Sequence, residues 1–405
     1  MKNRLANRPA AGLRTAFAAC AMLLLMPCAM AQNTHIEADA TTRLAKTREP
    51  DTALGRLLQP VDNRGFECGK ADGWDDACLK ARYQGQPAHW PRPVIDMGKN
   101  WTEMSAVPAV QPPADAKARA KLELGTALFF DAGLSRKGGV SCASCHQAGK
   151  SFSDGLAQAV GEDKLMGRRR AQTLFAAPFA SHLFWDGRAA SLEEQAKGSI
   201  TNTFEMNNTL AAAVAHVNSQ HHYRKMSRQI WGRDKLTTDQ MVTAISTFVR
   251  TIRPPTTKAD AVIAGETALL NDQQLLGLHM FRTKARCMNC HSGPLLTDNE
   301  FHDLGLSSYG RRNQDLGRFE ATRNKADLGQ FRVPSLRGVS QAGPWMHNGQ
   351  FGNLPGLLRL YNVGMGAVGG DPEQDSYVPP KSAHIKALNL NAQEIDALVE
   401  WLKIL

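Results

Sequence analysis

The chain contains Ser141-Cys142-Ala143-Ser144-Cys145-His146 and, much later, Cys287-Met288-Asn289-Cys290-His291, two copies of a Cys-x-x-Cys-His run. In this spacing two thiols can bond the vinyl groups of one haem while the adjoining histidine ligates its iron, so each run reads as a c-type haem attachment site. A Cys-x-x-Cys redox pair, or half a zinc site followed by a chance histidine, would have to arise twice in one chain. Two copies mean two covalently attached haem c groups, and the rest of the chain is organised around them.

The remaining cysteines are read through the N-terminus. Residues 1–31 carry Lys2, Arg4, Arg8 and Arg14, an apolar run from Ala16 to Met26, and then Ala29-Met30-Ala31. Together these make a secretory signal with its cleavage site, the mature protein starting at Gln32 in the periplasm. The apolar run is short for a membrane span, Pro27 interrupts its end, and Leu25-Met26-Pro27-Cys28 is a poor lipoprotein signal. No later stretch is long enough to span a bilayer. Cys20 and Cys28 leave with the signal and four cysteines go to haem, so Cys68 and Cys78 are left to pair in an oxidising compartment. The formal net charge of +10 falls to +6 without the signal, and haem propionates offset part of that. With no arginine-aromatic recognition motif, the charge does not point to nucleic acid.

A length of 405 residues suits two or three domains, and 42% hydrophobic content suits a protein with real cores. Residues 32–113 are polar, broken by seven prolines from Pro60 to Pro113, and without a sustained period. They read as an N-terminal extension on the surface of the later domains. From Ala114 the pattern turns helical. Ala116, Ala120, Leu124 and Leu128 share a helical face before the first motif, and a helix capped by Asn271 and Gln274 precedes the second. The phrases Leu124-Gly125-Thr126-Ala127-Leu128-Phe129 and Leu276-Gly277-Leu278-His279-Met280-Phe281 make a weak internal repeat. Amphipathic helices close each half, one through Met241, Ile245, Phe248 and Ile252, the other through Ile395, Leu398, Val399 and Leu402. The fold class read from this is mainly α, with two cytochrome c-like haem domains, 114–258 and 259–405, behind the extension.

A haem ligated on both faces mainly passes electrons, whereas one with an open face can activate a small oxidant. Between the motifs lie Trp185 in Leu183-Phe184-Trp185-Asp186-Gly187-Arg188, then Gln195, then Glu205 in Phe204-Glu205-Met206-Asn207. A carboxylate near an open iron can move a proton between the two oxygens of a peroxide, and a tryptophan between haems can relay electrons. On spacing alone, Trp185 reads equally as a core residue and Glu205 as a solvated carboxylate.

From Leu124 to Leu405 the chain resembles the bacterial di-haem cytochrome c peroxidases and their relative MauG. The resemblance is carried by both haem motifs, Phe152-Ser153-Asp154-Gly155, Phe184 to Ala189, Glu205-Met206-Asn207, Val333-Pro334-Ser335-Leu336-Arg337 and Met346-His347-Asn348-Gly349. It implies that the His146 haem reacts with peroxide and the His291 haem transfers electrons. It also implies that Trp185 lies between them, that Gln195 and Glu205 are the distal glutamine and catalytic glutamate, and that Arg337 pairs with a haem propionate. Family peroxidases carry a loop histidine that blocks the first iron; residues 152–170 contain none here, which implies an open first haem. The distal ligand of the second haem, methionine in the peroxidases and tyrosine in MauG, falls on Tyr361, with Met365 as a rival and a packed aromatic as the structural alternative. Other positions depart from the family: Ser199 stands for a distal-pocket proline and Asn348 for an aspartate. The family's inter-domain calcium would keep the carbonyls of Ala342 and Pro344 but meets Arg170 in place of an asparagine. The implied activity is reduction of hydrogen peroxide to water with electrons from a small cytochrome c or cupredoxin. A MauG-like oxidation of residues in a partner protein is the second reading, and a non-catalytic electron carrier the third.

Overall fold

A computed structural model describes residues 63–371 and 373–405. The segment read as a signal and the first part of the extension lie outside the described residues. Nine helices of seven or more residues occur among the described residues: α1 (Asp76–Arg82), α2 (Ala116–Phe130), α3 (Leu192–Thr201), α4 (Leu210–Ser219), α5 (His221–Trp231), α6 (Thr238–Val249), α7 (Asp272–Arg282), α8 (Leu354–Asn362) and α9 (Ala392–Leu402). Strands among the described residues are confined to two antiparallel pairs of two residues each, Gly69–Lys70 with Gly73–Trp74 and Phe301–His302 with Phe331–Arg332. The protein is mainly helical, as its sequence pattern implied. No described helix is long and apolar enough to cross a membrane.

Local chemistry explains the helix starts. Asp115 caps α2 through the Ala118 amide, and reciprocal capping boxes open α6 (Thr237/Gln240), α7 (Asn271/Gln274) and α9 (Asn391/Glu394). Each box satisfies two amides that a bare helix start would leave unpaired. The buried stripe of α2 begins at Ala120 and continues through Leu124 and Leu128, while Ala116 is exposed.

The side chains divide into two cores. One gathers Leu124, Leu128, Phe129, Ile200, Met241 and Ile245 from the part of the chain that carries the first motif. The other gathers Leu278, Phe281, Leu398 and Trp401 around the second motif. The internal repeat has a physical cause in these cores. A Cβ added to Gly125 of α2 would stand 1.9 Å from the Ala244 carbonyl oxygen of α6, and one added to Gly277 of α7 would stand 2.0 Å from the Ala397 carbonyl oxygen of α9. Glycine at the same place in each phrase lets two helices meet backbone to backbone. Gly277→Ala is expected to destabilise the protein by about 1–3 kcal/mol through overpacking. Thermal unfolding checks this, and an unchanged transition would mean that the helices can separate at no cost.

The described part of the extension departs from a surface position. Its Cys68–Cys78 disulfide forms as expected, but Leu79, Tyr83, Trp90 and Met104 are buried in the second core. The Tyr83 hydroxyl lies 2.9 Å from His279 Nδ1. Glu103 pairs through both oxygens with the fully buried Arg282, at 2.6 and 2.9 Å. Asn63 Oδ1 and the Glu394 carboxylate share the buried Lys284 ammonium. Scattered anchors on an aperiodic backbone bury well but leave no period in the sequence.

Candidate functional site

In the first motif, Cys142–Cys145 forms one helical turn after Ser141, which places both sulfurs beside His146. His146 Nδ1 is 2.9 Å from the Phe152 carbonyl oxygen. A carbonyl only accepts, so Nδ1 carries the proton and Nε2 keeps its lone pair, the form that ligates a metal. The second motif repeats this, with His291 Nδ1 3.0 Å from the Leu296 carbonyl oxygen. Ser151, Phe152 and Leu296 all adopt positive φ, turning the chain so that these carbonyls face back to the histidines. Burial pushes the Cys142, Cys287 and Cys290 thiols up to about 12 and Cys145 to about 11, so before haem is attached the protonated form is favoured.

Each motif opens on its own cavity, of about 820 Å³ at the first and about 230 Å³ at the second. Trp185, Gln195 and Glu205 line the first cavity together with His146. Gln195 and Ser199 lie one turn apart on α3, and Gln195 Nε2 donates to Ser199 Oγ at 2.8 Å. Glu205 sits in the turn beyond α3. Its Oε1 accepts from Asn202 Nδ2 at 2.7 Å and is 3.9 Å from the Arg188 guanidinium. Sequence reasoning passed over His182, which also lines this cavity; its Nδ1 lies 3.2 Å from Ser181 Oγ. His221 and His222 are exposed.

Five residues, Arg170, Gln172, Thr173, Trp185 and Arg332, line both cavities and so form a shared wall. Trp185 Nε1 donates to the Arg170 carbonyl at 3.1 Å, the Arg332 amide donates to the Trp185 carbonyl at 2.8 Å, and the Arg170 amide donates to the His347 carbonyl at 2.9 Å. The His347 ring stacks on Phe331 at 3.7 Å and meets Trp185 edge-on at 6.4 Å. Burial depresses His347 to about 4, leaving it neutral.

Tyr361, on α8, lines the second cavity, and burial raises the pKa of its hydroxyl. Met365 is buried beyond the end of α8 and is not part of the cavity wall. Arg337 is also elsewhere: its guanidinium is committed to Asp260 at 2.7 Å and to the Pro294 and Ser105 carbonyls, and it lines neither cavity. The arginines in the second cavity wall are Arg170, Arg286 and Arg332. Two half-buried motifs that open on cavities, with metal-ready histidines and the buried, unpaired Arg170 and Arg332 nearby, fit haem with its anionic propionates.

Calcium does not fit. It requires six to eight oxygen ligands, yet position 170 holds a buried guanidinium. Ala342 lines the second cavity and Pro344 does not. Among the described residues, the one group of three Cys, His or acidic side chains close enough to share an ion is Cys290, Asp298 and His302, beside the second motif.

The family model for di-haem cytochrome c peroxidases matches residues 119–268, and the chain belongs to the di-haem cytochrome c peroxidase and MauG family. It is 36% identical over 245 residues to the methylamine utilization protein MauG of Methylophilus methylotrophus, covering 60% of this chain and 72% of that one. It is also 36% identical over 228 residues to the cytochrome c551 peroxidase of Nitrosomonas europaea, covering 56% and 68%. A crystal structure of a MauG-like protein associated with microbial copper homeostasis aligns with a TM-score of 0.64 at 26% identity, over 77% of this chain and 95% of that one. The diheme peroxidase BthA from Burkholderia thailandensis shares the fold, with a TM-score of 0.61 at 23% identity over 80% and 94%. The chain is accordingly an oxidoreductase of this kind, with haem c as its cofactor.

Proposed function

We propose that the protein is an exported di-haem peroxidase that reduces hydrogen peroxide to water in the periplasm. One molecule of peroxide takes two protons and two electrons and leaves as two waters. The observation that carries this reading is the convergence of Glu205, Gln195 and His146 on one cavity whose neighbouring loop, residues 152–170, contains no histidine. Cys142 and Cys145 hold one haem covalently and Cys287 and Cys290 the other, each in a cytochrome c-like domain, with the boundary between residues 258 and 259. When bound, the haem on His146 supplies the iron at which peroxide is reduced. Glu205 takes the proton from one peroxide oxygen and returns it to the other, while Gln195, steadied by Ser199, orients the substrate. Trp185, in the wall common to both cavities, carries electrons between the two sites. A small cytochrome c or cupredoxin delivers them to the His291 side.

Resting-state electron paramagnetic resonance tests the open first site. A high-spin ferric signal that cyanide converts to low-spin is expected. Two low-spin signals with no cyanide response would mean that a side chain of the cavity wall, such as His182, closes the first haem.

A second reading rests on Tyr361 in the wall of the second cavity. A phenolate ligand would lower the potential there and favour storing oxidising equivalents for use on residues of a partner protein, as in a MauG-like enzyme. Rapid peroxide-driven oxidation of a reduced small cytochrome supports the first reading. Poor donor turnover with a long-lived oxidised state supports the second.

A further inference from the structure

Three consecutive arginines approach the wall between the cavities, and they are not alike. Arg168 pairs with Glu320, and Arg169 pairs with Asp186 and Asp315 at 2.6 and 2.7 Å. Arg170, 7% exposed, forms no ion pair among the described residues; it donates to Ser153 Oγ at 3.0 Å, and its Nε has no partner. Asp154 is the carboxylate whose field it feels, without contact at ion-pair distance. Across the same wall Arg332, 5% exposed, is likewise without a carboxylate. It donates to Asn299 Oδ1 at 3.2 Å and to Gln172 Oε1 at 2.8 Å. Its Nε and the Gln172 Nε2 are unpartnered.

Burying one guanidinium without a counter-anion is costly, and burying two in one wall is more so. Burial draws both down to about 10, at Arg170 against a partial upward pull from Asp154. Carboxylates are the partners that guanidinium forks match best. Both cavities border this wall, and the group that fits each of them carries carboxylates.

We propose that Arg170, Gln172 and Arg332 form a built carboxylate receptor in the shared wall, which binds haem propionates and supplies the fixed positive charge that a divalent cation would otherwise bring there. The calcium misfit then has a reason: the chain carries its own cation, Arg170, where the resemblance implied a calcium ligand. The inference rests on the haem reading above and adds two consequences to it. The protein needs no calcium, and the two arginines raise the potential of at least one haem by offsetting propionate charge.

The test uses the purified holoprotein. Pyridine haemochrome analysis first counts haems; fewer than two per chain would defeat the haem reading itself, separately from this inference. With two haems present, metal analysis should find no stoichiometric calcium, and midpoint potentials should be the same with EGTA or added calcium chloride. Arg170→Gln and Arg332→Gln should each lower at least one midpoint potential by the equivalent of a tenfold change in the reduction equilibrium, about 59 mV for a one-electron couple. Arg332→Lys, which keeps the charge, should stay closer to wild type than Arg332→Gln. Stoichiometric calcium in the wild-type protein, or a two-haem glutamine variant of either arginine with both potentials unchanged, would overturn the proposal. If the glutamine variants do not accumulate, the calcium analysis decides alone: no stoichiometric calcium and no response to EGTA upholds it, and bound calcium refutes it.

Discussion

Glu205→Gln is expected to slow peroxide reduction by about 100- to 10,000-fold while leaving haem content and the cyanide response of the first site near wild type. The amide is almost the same size as the carboxylate, and its oxygen can still accept the 2.7 Å bond from Asn202 Nδ2. What it loses is the capacity to take up a proton and give it back. Splitting a peroxide requires that capacity, because the leaving oxygen must depart as water rather than as hydroxide. Steady-state kinetics with a reduced donor measures the effect, and peroxide binding followed separately shows whether the loss lies in turnover. A variant with wild-type kcat/KM would remove Glu205 from the proton path and leave it as a half-exposed carboxylate tethered to Asn202 and Arg188.

Tyr361→Met is expected to raise the midpoint potential of the second haem by on the order of 100 mV or more, since axial-ligand identity spreads haem potentials over about 0.8 V. Burial holds the Tyr361 proton tightly, so the phenolate is disfavoured there unless a cation compensates, and ferric iron is such a cation. Methionine exchanges a hard anionic donor for a neutral, polarizable one and favours the reduced metal. Met365→Leu, outside the cavity wall, should leave the second-haem spectrum unchanged. Spectroelectrochemical titration with resting-state spectra makes the measurement. If neither Tyr361→Met nor Tyr361→Phe alters the second-haem spectrum, Tyr361 is only a packing residue, and the argument for storage of oxidising equivalents goes with it.

Much of the helical framework was legible because its signals are local. The capping pair Asn271/Gln274 stands where spacing put it, and Cys68 bonds Cys78. The repeated Leu-Gly phrase was legible as a pattern, and only the structure gives its reason, the backbone contact of paired helices at Gly125 and Gly277. What could not be read is what depends on distant residues meeting. Leu79, Tyr83, Trp90 and Met104 belong to a core whose other members lie beyond residue 258, and no short-range period announces such a partnership. The same holds for arginines. Resemblance pointed to Arg337, which the fold ties to Asp260, while Arg332, five residues earlier, faces both cavities. A basic residue's role is set by whether an acid reaches it, and that is a property of the folded chain.

The bond from Asn63 to Glu394 joins residues 331 positions apart, and this has a consequence for the order of assembly. Every member of the first core falls between Ala120 and Val249, so that core draws on one contiguous stretch of chain, while Arg318, Glu320 and Arg332 from the later half complete the wall of the cavity above it. The second core needs both the beginning of the described chain and its last helix, and the loop between them must close before any of their contacts form. The core behind His146 is therefore local in sequence, whereas the core around His291 depends on joining residues from both ends of the described chain.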